Sequence, residues 1–513
     1  MWGRPMRPAV LALLLCAAPA AADDFAPKLG DTHFGYYAKG RRVGTLTDSL
    51  SLRGAGADAH YLYTFEMHAR YHRDSIPGPT QTTFRAEFDA RPPFALRLAT
   101  YCEFGRAAAR SVTVERTAAG YDTVVSQSGE AHRFPSAVTG FTLRDLCRDE
   151  PWLRRNPPAG DTLAATDLVW AEARTEPVTH RSLGRVGGAV EYETLGARGR
   201  VAVTRFDPEA RRVVRIVFPD GAEYRAEPPD PARALDEPEL PASSLVPADR
   251  PLGRGPHPWL RVTLRGYSGT GLRSGPGQTV EPRADGVWTC RLGKGEGAAQ
   301  PATDDDARAA LAETPRFPHR HPKVVELARR AVGSARTPAE KVERLVRFVH
   351  AHVRYELTET PELFELLGTR RGNCQSFALL FVALARAEGL PAREVDGLAY
   401  ASDDPPGFGP HRWAEVARDA AWHPVDATTG VAEVDATYIR LDDWADGMTL
   451  TVDEVAWPRG VRWVAERPWV WVVFGLVAAA VAYRGRRPIR AGTHPEAPAE
   501  PGGDTSAGSS ARS

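Results

Sequence analysis

The sequence has no excess of charge of either sign, because 65 lysines and arginines are balanced by 65 aspartates and glutamates in 513 residues. It also has no long run of one sign and no glycine-rich phosphate loop. Nucleic-acid-binding proteins carry basic patches, and phosphate loops need closely spaced glycines. We therefore predict no nucleic-acid partner and no cofactor.

Two histidine pairs, His319 with His321 and His350 with His352, are separated by a single residue, and neither has a neighbouring cysteine cluster. Zinc sites on helices use histidines at i and i+4, or groups of cysteines. The acidic run at 304–306 is typical of a helix start rather than of a calcium loop. The sequence therefore predicts no metal site.

The two ends are typical of an exported and tethered protein. Arg4 and Arg7 precede an apolar run at 9–18, and the alanines at 20–22 form a cleavage pattern, so residues 1–22 are predicted to be a signal peptide. A short membrane anchor is the alternative.

Near the C-terminus, residues 469–483 are apolar, uncharged and bounded by aromatics, and arginines follow them. This pattern favours a single transmembrane helix at 468–484 and a disordered tail at 485–513. A buried terminal helix is the alternative. The body would then lie at the cell membrane, on the periplasmic or extracellular side.

Cysteine is scarce, since the mature chain would keep only four: Cys102, Cys147, Cys290 and Cys374. An exported protein can form disulfides, and Cys102 with Cys147 is one possible pair. If Cys374 performs chemistry, at least one of the other three stays unpaired.

The body divides into three parts by its periodicity. Residues 23–227 read as all-β, because residues 61–71 alternate with Tyr63, Phe65 and Met67 on one face. We expect a twisted antiparallel sheet or half-barrel there. Residues 228–303 are predicted to be a proline-rich linker with additional strands. Residues 304–456 show helical patterns followed by strands, which predicts an α+β domain.

Within 304–456 the helix signals are specific. One helix is predicted at 322–332, and a second begins at a capping box of Thr337 and Glu340 with Pro338 at its first position. A third begins near Cys374. Strands are expected at 393–400, 411–417 and 422–428.

Cys374, His411 and Asp426 have the residue types and order of a cysteine nucleophile with its base and orienting acid. A free thiol has a pKa of about 8.5, and a helix N-terminus favours its anion. His411 would accept the thiol proton, and Asp426 would orient the imidazole. A hairpin centred on 418–421 would place these two side chains directly or diagonally opposite on one face.

Four segments resemble the core of the transglutaminase-like superfamily: GNCQSFALL at 372–380, LARAEGLPAR at 384–393, HRWAEV at 411–416 and WHPVDAT at 422–428. The likeness covers about 322–441. It implies a papain-like fold with a catalytic triad of Cys374, His411 and Asp426. One departure is Ala420-Ala421, where the family usually has a turn glycine.

We therefore expect a cysteine enzyme that acts on amide bonds of a protein or peptide through an acyl-thioester. Water as acceptor would make it a peptidase or amidase, and an amine would make it a crosslinker; hydrolysis is slightly favoured. The alternative from another class is a non-catalytic binding or assembly protein with a papain-like fold. The sequence makes no prediction of substrate identity or oligomeric state.

Overall fold

Strands dominate the part of the chain that a computed structural model describes. The described residues are 25 and 27–456, apart from 74–75, 105–108, 148, 198, 220, 231–234, 237–244, 254, 268–271, 285, 298–301, 358–360 and 442–446. The predicted signal peptide, transmembrane helix and tail lie outside this range and stay predictions. No helix in the described part is long and apolar enough to span a membrane.

The N-terminal region forms one fourteen-stranded antiparallel sheet. Its strands are β1 (Gly30–Ala38), β2 (Arg41–Arg53), β3 (His60–Arg73), β4 (Ile76–Asp89), β5 (Leu96–Phe104), β6 (Ala109–Thr117), β7 (Gly120–Gln127), β8 (Glu130–Pro135), β9 (Thr162–Val169), β10 (Arg174–Val186), β11 (Ala189–Gly196), β12 (Gly199–Asp207), β13 (Arg212–Val217) and β14 (Glu223–Ala226). Two short helices, α1 (Leu143–Leu146) and α2 (Asp149–Leu153), connect β8 to β9.

The sheet consists of two meanders. β1 to β8 are neighbours in chain order, β9 to β14 likewise, and β1 pairs with β14 to join them. The alternation predicted for β3 is confirmed, because Tyr63, Phe65 and Met67 are buried while Glu66 and His68 are exposed. The predicted antiparallel sheet is therefore present.

The remaining elements belong to smaller sheets and a group of helices. They are β15 (Val246–Pro247), β16 (Trp259–Arg265), β17 (Gln278–Ala284), β18 (Val287–Gly293), α3 (Asp304–Leu311), α4 (Pro322–Val332), α5 (Pro338–His352), β19 (Arg354–Tyr355), α6 (Leu363–Thr369), β20 (Arg371–Gly372), α7 (Cys374–Ala387), β21 (Ala392–Asp403), β22 (Pro406–Arg418), β23 (Ala421–Val425), β24 (Tyr438–Arg440) and β25 (Thr449–Ala456).

Strand pairing links segments that are distant in sequence. β22, β21 and β24 form a sheet in which β15 and β23 both pair with β22, whereas β16 lies between β18 and β25 in a second sheet. β15 and β16 precede the boundary predicted at 303/304, and their partners β22 and β25 follow it. The domain limits themselves stay predictions.

The helices pack around α7. α4 has the predicted bounds, and α5 begins with the predicted capping box of Thr337 and Glu340. α7 is buried from Cys374 to Arg386, as is typical of a helix enclosed on all sides. Its apolar side chains share one core with α4, α5, α6 and the strands β22 and β23. α6 was not predicted.

The thiols are mostly unpaired. Cys102, Cys290 and Cys374 are free cysteines, so the possible Cys102–Cys147 disulfide is not formed. Burial raises the pKa of the Cys290 thiol to about 12, which makes it unreactive.

Candidate active site

Cys374 is the first residue of α7, as the sequence predicted. Asn373 caps the helix, because its side-chain oxygen accepts a hydrogen bond from the backbone N–H of Gln375 at 3.0 Å. The preceding strand β20 pairs in parallel with β19, which fixes the chain just before the nucleophile. The sulfur therefore lies where unpaired helix N–H groups favour a negative charge.

Gly372 is required by close packing at this turn. A Cβ at position 372 would lie 2.0 Å from the Oγ of Ser376 and 2.5 Å from its Cβ. Neither atom can move away easily, since Ser376 is fully buried in the first turn of α7. Any side chain at 372 therefore displaces the start of the helix that carries Cys374.

We expect Gly372→Ala to destabilise the protein by about 1–3 kcal/mol, as overpacking does. A shift of the sulfur should also slow alkylation of Cys374 by iodoacetamide about tenfold. Thermal unfolding and mass spectrometry measure the two effects. Gly368→Ala is the matched control, since a Cβ there meets no atom within 4 Å. Equal behaviour of the two variants would contradict the packing argument.

The hairpin of β22 and β23 brings His411 and Asp426 together. Arg418 pairs with Ala421 and Ala414 with Val425. Asp426, the next residue, is therefore directly opposite Trp413 and diagonal to His411. The diagonal arrangement is one of the two predicted. The turn residues Asp419 and Ala420 have φ values of 49° and 60°. Ala420 thus occupies a left-handed position that favours glycine, which explains the turn glycine of the family.

The structure brings the three predicted residues together. His411 Nε2 lies 2.9 Å from Asp426 Oδ2, and the Cys374 thiol is close enough to the imidazole to affect its pKa. Burial alone would lower the pKa of His411, but Asp426 and Cys374 outweigh it and raise that pKa to about 10. The arrangement therefore stabilises an imidazolium beside the sulfur.

Asp426 is fully buried and accepts from several donors. Besides His411, Tyr438 Oη donates to its Oδ2 at 2.8 Å, Thr429 Oγ1 to Oδ2 at 2.9 Å, and the Thr428 N–H to Oδ1 at 2.7 Å. Burial opposes its ionisation, yet these bonds and the His411 charge keep the pKa of Asp426 below its usual range. The carboxylate is held both charged and oriented.

Tyr438 is a site residue that the sequence analysis missed. It lies on β24, and its ring contacts the rings of His411 and Trp413 at centroid distances of 5.8 and 5.4 Å. Burial and the neighbouring Asp426 raise its pKa strongly, so its hydroxyl keeps its proton and donates. No spacing in the sequence indicates this contact, because it depends on how β24 pairs with β21.

A second buried network lies next to the nucleophile. Arg412 donates to both oxygens of Asp396, at 2.6 and 3.0 Å, and its Nη1 donates to Gln375 Oε1 at 3.0 Å. Since Gln375 follows Cys374, this network ties the first turn of α7 to β21 and β22. It also was not predicted.

Three further side chains of the hairpin have structural surroundings. Trp413 and Trp422 are buried, which indicates a packing role. The Glu415 carboxylate is buried between Arg393, at 2.6 Å, and Arg440, at 3.2 Å. It is therefore part of an ion-pair cluster and not a second catalytic acid. The described part of the chain holds no group of three or more His, Cys, Asp or Glu side chains arranged for a metal ion.

Residues 325–427 match the family model of the transglutaminase-like superfamily. The match spans α4 to α7 and the hairpin of β22 and β23, which carry Cys374, His411 and Asp426. This part of the chain is therefore a transglutaminase-like core, as the resemblance implied.

The search of curated proteins returned no match. Among solved structures, a candidate cysteine protease from Cytophaga hutchinsonii is 18% identical over 39% of this chain and 85% of that chain, with a TM-score of 0.25. A candidate protease from Parabacteroides distasonis is 11% identical over 74% of this chain and 68% of that chain, with a TM-score of 0.19.

Proposed function

We propose that this protein is a cysteine peptidase or amidase whose nucleophile, base and orienting acid are Cys374, His411 and Asp426. The observation that carries the proposal is that His411 bonds to Asp426 at 2.9 Å and lies beside the Cys374 thiol, and that both neighbours raise its pKa. A buried imidazole with a raised pKa next to a thiol at a helix start is the arrangement that activates cysteine. A thiol that was only part of the packed core would have neither His411 nor Asp426 beside it.

The proposed reaction has two steps. The sulfur attacks the amide carbonyl carbon, the S–C bond forms, the C–N bond breaks, and the imidazolium of His411 gives its proton to the leaving amine. Water then attacks the thioester as His411 takes its proton; the C–O bond forms, the C–S bond breaks, and the thiol is restored. The N–H groups at the start of α7 are suited to stabilise the oxyanion in both steps.

We favour water over an amine as the acceptor because an exported protein meets water at high concentration. The test supplies a mixed peptide library containing glutamine peptides, with and without methylamine, and identifies products by mass. We expect new carboxyl ends in both conditions. If methylamine adducts are the main product, the protein is a crosslinking enzyme and not a hydrolase.

Alkylation with iodoacetamide separates an enzyme from a binding protein. In the enzyme, iodoacetamide alkylates Cys374 faster than Cys102 and Cys290, and His411→Ala slows that reaction. No turnover together with equally slow alkylation of wild type and His411→Ala would favour the non-catalytic alternative.

We further propose that the enzyme is exported and held at the membrane by the helix at 468–484. The apolar segments at both ends of the sequence support this. Recovery of the full-length chain in the cytosolic fraction of cells would contradict it.

A further inference from the structure

Large apolar side chains are exposed next to the triad. Eight such side chains are exposed among the described residues, and three of them lie in the α+β region: Tyr355, Leu357 and Val431, with exposed fractions of 55%, 69% and 37%. All three adjoin the segments that carry Cys374 or Asp426. Exposed apolar groups that gather at one place mark binding surfaces more often than isolated ones do.

Tyr355 and Leu357 lie beside the nucleophile. Tyr355 on β19 pairs with Gly372 on β20, two positions before Cys374. Its ring centroid is 6.4 Å from that of Phe377, one turn further along α7. Partial burial and the nearby Cys374 sulfur raise the pKa of Tyr355, which agrees with this short separation.

The backbone holds this segment in place while its side chains stay in solvent. The N–H of Arg354 donates to the carbonyl of Arg370 at 2.8 Å, and the N–H of Glu356 donates to that of Gly372 at 2.9 Å. The two apolar side chains therefore have fixed positions relative to Cys374. A preorganised apolar surface at a nucleophile loses little entropy when it binds a substrate side chain.

The charged neighbours lie on the other face of this strand pair. Arg354 pairs with Arg371 and Tyr355 with Gly372, so Arg354, Arg371 and Glu356 alternate with Tyr355 and Leu357. Arg371 lies 3.5 Å from Glu356 on that opposite face. Within the described residues, the face of Tyr355 and Leu357 is therefore apolar.

We propose that Tyr355 and Leu357 form a subsite that binds a large apolar side chain of the substrate next to the scissile carbonyl. This rests on the proposed function and specifies its substrate class: peptides in which an aromatic or large aliphatic residue precedes the scissile bond. Val431, whose N–H and C=O both bond to Asp426 at 2.9 Å, borders the site on the side of the acid.

Peptidyl chloromethyl ketones test the proposal on the full chain. Probes ending in Glu-Phe and Glu-Gly are compared by their rates of Cys374 alkylation, and iodoacetamide gives the rate without a peptide. We expect Glu-Phe to react at least about tenfold faster than Glu-Gly, because the apolar side chain leaves water.

The variant Tyr355→Ser/Leu357→Ser should reduce the ratio of Glu-Phe to Glu-Gly to within about twofold. The ratio is taken within one variant, so changes in thiol reactivity cancel. Leu183→Ser is the matched control: Leu183 is 41% exposed on β10 in the large sheet, and its loss should leave the ratio at the wild-type value.

The outcomes separate the two proposals. A wild-type ratio of Glu-Phe to Glu-Gly near one, or a high ratio that remains in the double variant, contradicts the subsite. Rapid alkylation of Cys374 by iodoacetamide in the same protein would still support the proposed function. If iodoacetamide alkylates wild-type Cys374 no faster than the other free thiols, the proposed function is contradicted. The subsite, which rests on that function, is then contradicted as well.

Discussion

Replacing His411 with alanine is expected to lower kcat/KM for a cleaved peptide by about 10⁴-fold. The alanine removes the base that accepts the thiol proton and the acid that protonates the leaving amine, so both chemical steps lose their proton carrier. The loss should appear mainly in kcat, since the subsite residues are untouched. Steady-state kinetics on a peptide found in the library experiment measure it.

His423→Ala is the control for this variant. His423 lies on the same hairpin, but its Nε2 bonds to the carbonyl of Arg418 and not to a triad residue. Its replacement should change kcat/KM by no more than about threefold. Similar losses in the two variants would show that the hairpin fold, and not the imidazole of His411, supports activity.

Replacing Asp426 with asparagine is expected to lower kcat/KM by about 10³- to 10⁴-fold. Asparagine nearly preserves the shape but removes the charge that stabilises the imidazolium of His411. In the wild type Asp426 and Cys374 hold the pKa of His411 at about 10 against the effect of burial. Without the carboxylate, burial still lowers that pKa, so His411 loses its proton at a lower pH.

The pH profile therefore distinguishes this electrostatic role from a purely structural one. Activity needs protonated His411 to release the amine, so kcat/KM should fall as the pH rises through the pKa of His411. In Asp426→Asn the fall of kcat/KM on the alkaline side should shift to lower pH by more than about one unit. A fall at unchanged pH would contradict the role given to the carboxylate.

Tyr438→Phe tests a smaller contribution to the same carboxylate. It removes one of the donors to Asp426 Oδ2 but leaves His411, Thr429 and the ring contacts in place. We expect a loss of about five- to tenfold, as for one hydrogen bond to a charged group. A loss as large as that of Asp426→Asn would mean that Tyr438 has a more direct part in the reaction.

Much of the candidate site was predictable because its signals are local. Cys374 and its helix follow from a glycine, a capping asparagine and an apolar run that are adjacent in the chain. The pairing of His411 with Asp426 follows from a two-residue hairpin, in which register depends on turn length alone. The bounds of α4 and the capping box of α5 were predicted for the same reason.

Features that depend on distant pairing were not predictable. Tyr438 reaches Asp426 only because β24 pairs with β21, and Arg412 reaches Gln375 only because β22 packs on α7. The pairing of β16 with β25 joins residues separated by about 190 positions. Periodicity within a segment does not indicate which distant segment it pairs with. The entropic cost of closing a loop changes only slowly with loop length, so sequence separation does not select the partner either.

The sequence by itself identified the candidate nucleophile, base and acid, because short-range rules for helix starts and hairpins place these three residue types. Only the tertiary structure decided what surrounds them: the donors that keep Asp426 charged, the Arg412 network behind Cys374, and the exposed Tyr355 and Leu357 beside it. Burial and proximity are properties of the packed chain, and they set the pKa values and the surface offered to a substrate.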